Sequence, residues 1–210
     1  MTVKTRDATA TEFASGARSG ADEIRTSNRM VEESEFIVKL MDAVPNLLAV
    51  LDANRQIIAA NQRLIENLGG GDLNTILGLR PGEMIRCAHA GEGPNGCGTS
   101  RACSTCGAIS AVMISQNTGQ STTRDCQIRI EGGQSSDLRI TATPLTVQDR
   151  GFTVCTIEDI SHENRRLALE RTFFHDVLNL AGGIHGLSLI LRDRDDEDKV
   201  EEISGMMEDL

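Results

Sequence analysis

Between residues 122 and 160 the chain reads three times as a β-strand and twice as a tight turn. Nothing else in the sequence restricts the fold as strongly. The strands are "TTRDCQIRI", "SDLRITATPLTV" and "GFTVCTIEDI", and "EGG" and "QDRG" separate them. Runs rich in Thr, Ile and Val between Gly-containing turns predict strands. Strands joined by such short connections pair antiparallel. A further hairpin is predicted upstream in "PNLLAVLDANRQIIAAN", with "LLAVLD" and "QIIAAN" as strands and "ANR" as the turn. Asn61 is placed to cap a short helix, "NQRLIENLG". Another helix, "CGAISAVMISQNTGQ", is expected to end near Gly119, since Gly favours helix C-termini. The fold class predicted is α+β, a five-stranded antiparallel sheet with short helices on one face.

Aromatic residues make up 2% of the 210-residue chain, with no Trp or Tyr. The core must therefore rest on Ile, Leu, Val and Met, which is feasible at this length. Residues 1–22 are rich in Ala, Thr, Ser and Gly and are expected to form a mobile tail. Residues 23–36 are expected to be an N-terminal helix.

From Ser161 the pattern changes to "HENRRLALERTFFHDVLNLAGGIHGLSLILRD", which contains no Pro. Ser161 is the expected N-cap, with Glu163 in the first turn. Leu167, Phe174 and Ala181 recur every seven residues, interleaved with Val177, Ile184 and Leu191. That is a coiled-coil-like seam, which predicts a homodimer. Gly182, Gly183 and Gly186 weaken the helix or give it a bend. After "DRDDED" a second helix is expected from about Lys199, making a helical hairpin.

Four of the six cysteines gather in one segment, spaced Cys87-x9-Cys97-x5-Cys103-x2-Cys106. No secretory signal opens the chain and no apolar run is long enough to span a bilayer. The protein is therefore expected in the cytoplasm, where thiols stay reduced and clustered ones serve as metal ligands or redox groups. Four thiolates suit an iron–sulfur cluster or a tetrahedral zinc ion. Only one close pair is present, Cys103–Cys106, and zinc sites usually draw on two, which favours the cluster. Metal-free thiols remain a third possibility. His89 is a candidate substitute ligand, though more simply a solvated loop residue. Cys126 and Cys155, in apolar alternating strands, are expected to be buried core thiols.

The stretch "FFHDVLN", together with the strand ending "TIEDIS", carries a resemblance. Residues 37–160 resemble a PAS sensory domain. Residues 161–210 resemble the dimerisation and histidine phosphotransfer hairpin of a sensor histidine kinase. The resemblance implies that His175 is the phosphoacceptor, that Asp176 orients its ring, and that Asn179 positions a water that hydrolyses a phosphorylated partner. An imidazole is a good nucleophile at physiological pH, so the chemistry suits the residue. Leu180 stands where the family often has Pro. The family's ATP-binding domain has no counterpart before Leu210. The chain is expected to be a piece of a longer kinase, or else a natural partner without the kinase domain. In either case ATP acts only through a kinase domain in cis or in trans, and the phosphate passes to a response regulator receiver domain.

The net charge of −10 excludes a sequence-independent nucleic-acid binder, which needs Lys and Arg to displace counterions. The function expected is a sensor of redox state, oxygen or a small ligand that controls phosphorylation of His175. The alternative is a non-enzymatic dimeric scaffold with a structural zinc ion. A thioredoxin-like redox enzyme acting through Cys103 and Cys106 is disfavoured by the strand order.

Overall fold

The structure is a computed structural model that describes residues 11–67 and 71–192. It divides into two compact units, one running to Ser161 and the other starting at His162.

In the first unit, helices α1 (Ala21–Glu32) and α2 (Glu35–Ala43) precede strands β1 (Leu47–Leu51) and β2 (Ile57–Ala60). Then come α3 (Gln62–Asn67), α4 (Pro81–Met84) and α5 (Gly107–Thr118). Strands β3 (Thr122–Arg129), β4 (Ser135–Val147) and β5 (Arg150–Asp159) complete it. All five strands form one antiparallel sheet in the order β2-β1-β5-β4-β3. This is the sheet that the strand and turn pattern predicted. Its last turn takes an unexpected form, with positive φ at Gln148 and Asp149 rather than at the neighbouring Gly.

Each strand alternates its side chains between two faces, and both faces are covered. Ala49 and Leu51 join Ile57, Val112, Ile140 and Ile157 in one cluster, over which α5 packs. Leu48 and Val50 join Ile24, Met41, Ile58 and Phe152 in a second cluster. Helices α1 and α2 thus pack on the opposite face, which corrects the expectation of helices on one face only. The apolar stripe of residues 24–41 needed a surface to cover, and the reverse face of the hairpin supplies it. The stripe is also two helices rather than one, because Ser34 takes an extended conformation and caps α2 through the Ile37 amide.

Asn61 caps α3 as predicted, accepting from the Leu64 amide at 3.1 Å. The same oxygen accepts from Leu48 at 3.0 Å, which ties the helix to β1. Helix α5 ends at Gly119 with φ of +67°, also as predicted.

The expected free tail does not describe residues 12–19. Glu12 and Ala14 donate backbone bonds to Thr99 and Gly98, each at 3.0 Å, and Ala14 is buried. Arg18 pairs with Glu83. Residues 1–10 lie outside the described set.

The second unit is described over a single helix, α6 (Ser161–Arg192), which runs through Gly182, Gly183 and Gly186. Ser161 does not cap it by its hydroxyl, which instead accepts from the Asp137 amide at 3.0 Å. Asp159 Oδ1 accepts from the Ser161 amide at 2.8 Å. The expected second helix of the hairpin, from about Lys199, lies outside the described residues. Among the described residues, no helix is long and apolar enough to cross a membrane.

Candidate functional site: a thiol-lined cavity and an exposed histidine

Residues 71–121 fold over one face of the sheet and help to enclose a cavity of about 430 Å³. Its floor is apolar, from Leu51, Ile140 and Ile157 on the strands and Val112 on α5. Cys87, Cys97, Cys103 and Cys106 all line it, so the four predicted thiols share one cavity. Cys87 is anchored by a bridge to Ile130 at the end of β3. Cys97 lies against α4, and a Cβ on Gly82 would meet its Sγ at 2.6 Å and Cys87 Cβ at 3.5 Å. Glycine is therefore required where the chain passes between these two thiols.

Gly98 donates its main-chain N–H to Cys103 Sγ at 3.3 Å. Main-chain amides of His89 and Ala90 near Cys87, Gly82 near Cys97, and Ala108 and Ile109 near Cys106 act to lower those thiols. Such bonds stabilise thiolate sulfur and tune thiolate-ligated centres. Burial acts in the opposite direction, pushing the Cys97 thiol up to about 12 and raising Cys87.

The donor set fits an anionic thiolate centre in its chemistry. A single ion fits less well. Among the described residues, no three His, Cys, Asp or Glu side chains stand together as they would around one metal ion. His89 is turned to Glu92, with Nδ1 2.8 Å from Oε1.

Of the two expected core thiols, Cys155 is buried and pushed up to about 12 by burial. Cys126 is different. It is half-buried and hydrogen-bonded to Cys106, which corrects its placement as a plain core residue. The bond pulls the Cys106 thiol well below its ordinary value and pushes Cys126 up, since one sulfur holds the negative charge and the other the proton. Cys106 is also the N-cap of α5, where helix amides favour a thiolate. In metal-free protein at pH 7, Cys106 is expected to react with iodoacetamide at least about tenfold faster than Cys97, and Cys126→Ala to remove most of that advantage. Mass-spectrometric mapping of the alkylated peptides measures both.

Gly107 makes the Cys106–Cys126 approach possible. A Cβ there would lie 2.2 Å from the Asp125 carbonyl oxygen and 3.1 Å from Cys126 Cβ. Since the obstacle is strand backbone, Gly107→Ala is expected to cost about 1–3 kcal/mol and to lower the melting temperature by several degrees in a thermal scan.

Two arginines were not singled out from the sequence. Arg80 is fully buried and gives its guanidinium protons to five carbonyls, those of Asn54, Asn95, Cys97, Ser15 and Ala17. Burial, then the neighbouring Arg55, pushes it down to about 10, so it stays charged at neutral pH. Arg55 is also buried and lines the same cavity. The only hint was position, since both stand beside turn residues in otherwise apolar stretches.

On α6, the His175 side chain is 72% exposed. Its Nδ1 lies 3.3 Å from Asp176 Oδ1. Asn179 Nδ2, one turn on, is 3.2 Å from Nδ1 and 3.3 Å from Nε2. The three predicted residues are thus in mutual contact. Leu167, Phe174, Val177 and Ile184 of the seam are all exposed in the single chain.

No family model matches the chain, and no curated protein matches it. Among solved structures it is similar to a PAS domain from a two-component sensor histidine kinase, at 12% identity and TM-score 0.41, covering 61% of this chain and 96% of that one. The PAS domain of nitrogen regulation protein NR(II) from Vibrio parahaemolyticus is 16% identical, with TM-score 0.45 and coverage of 60% and 100%. The PAS domain of BvgS from Bordetella pertussis is 15% identical, with TM-score 0.40 and coverage of 69% and 96%.

Proposed function

We propose that this chain is the sensory and phosphoacceptor portion of a cytoplasmic two-component histidine kinase. The observation that carries the reading is His175, exposed on a long helix with a carboxylate on one ring nitrogen. If Nδ1–H donates to Asp176, the lone pair lies on Nε2, which attacks once Asn179 Nδ2, 3.3 Å away, turns aside. In the reaction Nε2 attacks the γ-phosphorus of ATP, a P–N bond forms, and the P–O bond to ADP breaks. The ATP comes from a kinase domain elsewhere in a longer chain or from another chain. The phosphoryl group then passes to the receiver domain of a response regulator. Pairing of two α6 seams in a homodimer would cover Leu167, Phe174, Val177 and Ile184.

The first unit is, on this reading, a PAS-like sensory domain. Cys87, Cys97, Cys103 and Cys106 are the residues that would hold an iron–sulfur cluster. Such a cluster would supply one-electron chemistry, so that oxygen or redox state becomes the signal. The four thiols lining one cavity, with the Gly98 amide donating to Cys103, support this assignment. A dimeric scaffold with a permanent zinc ion is the alternative, and it needs three or four thiols around one ion. Only one residue, Ile160, separates β5 from α6, so the sensory sheet leads straight into the phosphoacceptor helix.

Protein purified without oxygen is expected to be brown and to bind iron. Phosphate transfer to His175 is expected to differ between its oxidised, reduced and chelator-treated forms. Transfer that proceeds equally in all three forms would remove the sensory half of the proposal. A colourless protein that binds zinc would favour the scaffold.

A further inference from the structure

Arg55 is a buried cation that the fold leaves incompletely satisfied. It sits in the β1–β2 turn with φ of +66°, a conformation that costs a non-glycine residue energy and is held only where surroundings impose it. Its side chain is turned inward, leaving the residue 6% exposed. One terminal nitrogen donates to the Ser15 carbonyl, while Nε is buried with no hydrogen-bond partner among the described residues. Asp52, close enough to interact with its charge, gives Oδ1 to the Gln56 amide and Oδ2 to the Ser19 hydroxyl. A buried N–H without an acceptor costs about 1–3 kcal/mol. A fold that carries such a group beside a cavity has a place for an anion.

The surroundings indicate which anion. Arg55 lines the thiol cavity and interacts electrostatically with Cys97 and Cys103. Arg80, on the same wall, spends its guanidinium donors on neutral carbonyls, so its charge also extends into this region. A centre built on four thiolates carries net negative charge. In an apolar cavity that charge needs a cation or hydrogen bonds to offset lost hydration.

We propose that Arg55 is the anion-binding residue of the thiol cavity, its Nε–H donating to a sulfur of the centre held by Cys97 and Cys103. This rests on the thiolate-centre reading above and adds to it a residue outside the cysteines. Arg55 is then a positioning and charge-compensating residue, and its effect is on the potential. A cluster held there would take up one electron on reduction, and the Arg55 charge beside it would favour the reduced form.

The test uses the full chain, reconstituted with iron and sulfide without oxygen and poised with dithionite. Arg55→Gln keeps a polar side chain and removes the charge. It is expected to move the reduced-to-oxidised ratio about tenfold towards oxidised at fixed potential, ~59 mV for one electron. Arg55→Lys, which restores the charge, is expected to recover most of that shift. An Arg55→Gln protein with the parent's potential and iron content overturns the proposal. A parent protein that takes up no iron fails one step earlier, removing the thiolate-centre reading and this inference together. Should Arg55→Gln not fold, parent protein labelled with ¹⁵N-arginine is examined by pulsed EPR in the reduced state. A coupled guanidinium nitrogen is expected, and none overturns the proposal.

Discussion

His175→Ala is expected to abolish phosphate incorporation when the chain is incubated with ATP and a competent kinase domain. The reason is positional. His162, His175 and His185 all lie on α6, but only His175 has a carboxylate and a carboxamide on its ring. A nucleophilic nitrogen works best when the other nitrogen's proton is held, because the positive charge that develops in the transition state is then stabilised. Asp176→Asn should consequently slow transfer by about 10²-fold, the scale of a lost general-base partner. Because Asp176 is 70% exposed by side chain, its loss should leave the stability of the helix nearly unchanged. Acid-labile ³²P on the parent chain, absent from His175→Ala and slowed in Asp176→Asn, is the measurement. Label that persists in His175→Ala would place the acceptor elsewhere and end the phosphotransfer reading.

The second large effect concerns stability. Arg80→Ala is expected to leave the first unit unfolded, or close to it, at room temperature. Five carbonyl oxygens would lose a donor at once; Ser15 keeps Arg55 and Asn95 keeps Arg18, while those of Asn54, Cys97 and Ala17 would cost about 1–3 kcal/mol for each that stays buried. The sum is comparable to the whole stability of a typical domain, about 5–15 kcal/mol. The damage should also be directional. Ser15 and Ala17, on the N-terminal segment, and Asn95 and Cys97, on the cysteine loop, meet at this side chain's fork, which adds to the backbone bonds of Glu12 and Ala14 with Thr99 and Gly98. Amide exchange should therefore quicken first at residues 12–19 and 95–99. Arg80→Lys keeps the charge but cannot reach five acceptors, so it should fall between parent and Ala. An Arg80→Ala protein that melts within a few degrees of the parent would mean that water replaces the lost donors.

Both effects separate what was legible in the sequence from what was not. The strands β1 to β5, the cap at Asn61 and the glycine end of α5 could be read because each depends on neighbours along the chain. A period of two, a turn residue or a capping side chain leaves a mark within a few positions. The thiol quartet was legible for the same reason, since spacing within one segment is a local property. So was the His175, Asp176 and Asn179 trio, because residues one and four apart on a helix must be neighbours.

Other features left no such mark. The free tail was inferred from composition, and composition does not record that Arg80 reaches the carbonyls of Ser15 and Ala17, 65 and 63 residues away. Cys126 looked like core because its strand alternates, but alternation gives only the face. The partner on that face, Cys106, is set by how α5 crosses β3. Helices on both sides of the sheet were missed because an amphipathic stripe reveals that a helix needs a surface, not which surface.

The amino-acid order alone determined the antiparallel sheet and the long final helix, and it singled out the histidine and cysteines of the candidate site. Those follow from torsions and contacts between residues close in the chain. Only the tertiary structure decided that two buried arginines flank the thiols and that Cys106 stands beside Cys126. The physical reason is that burial and charge compensation arise when distant segments close on one another, and the energy of such contacts has no period along the sequence.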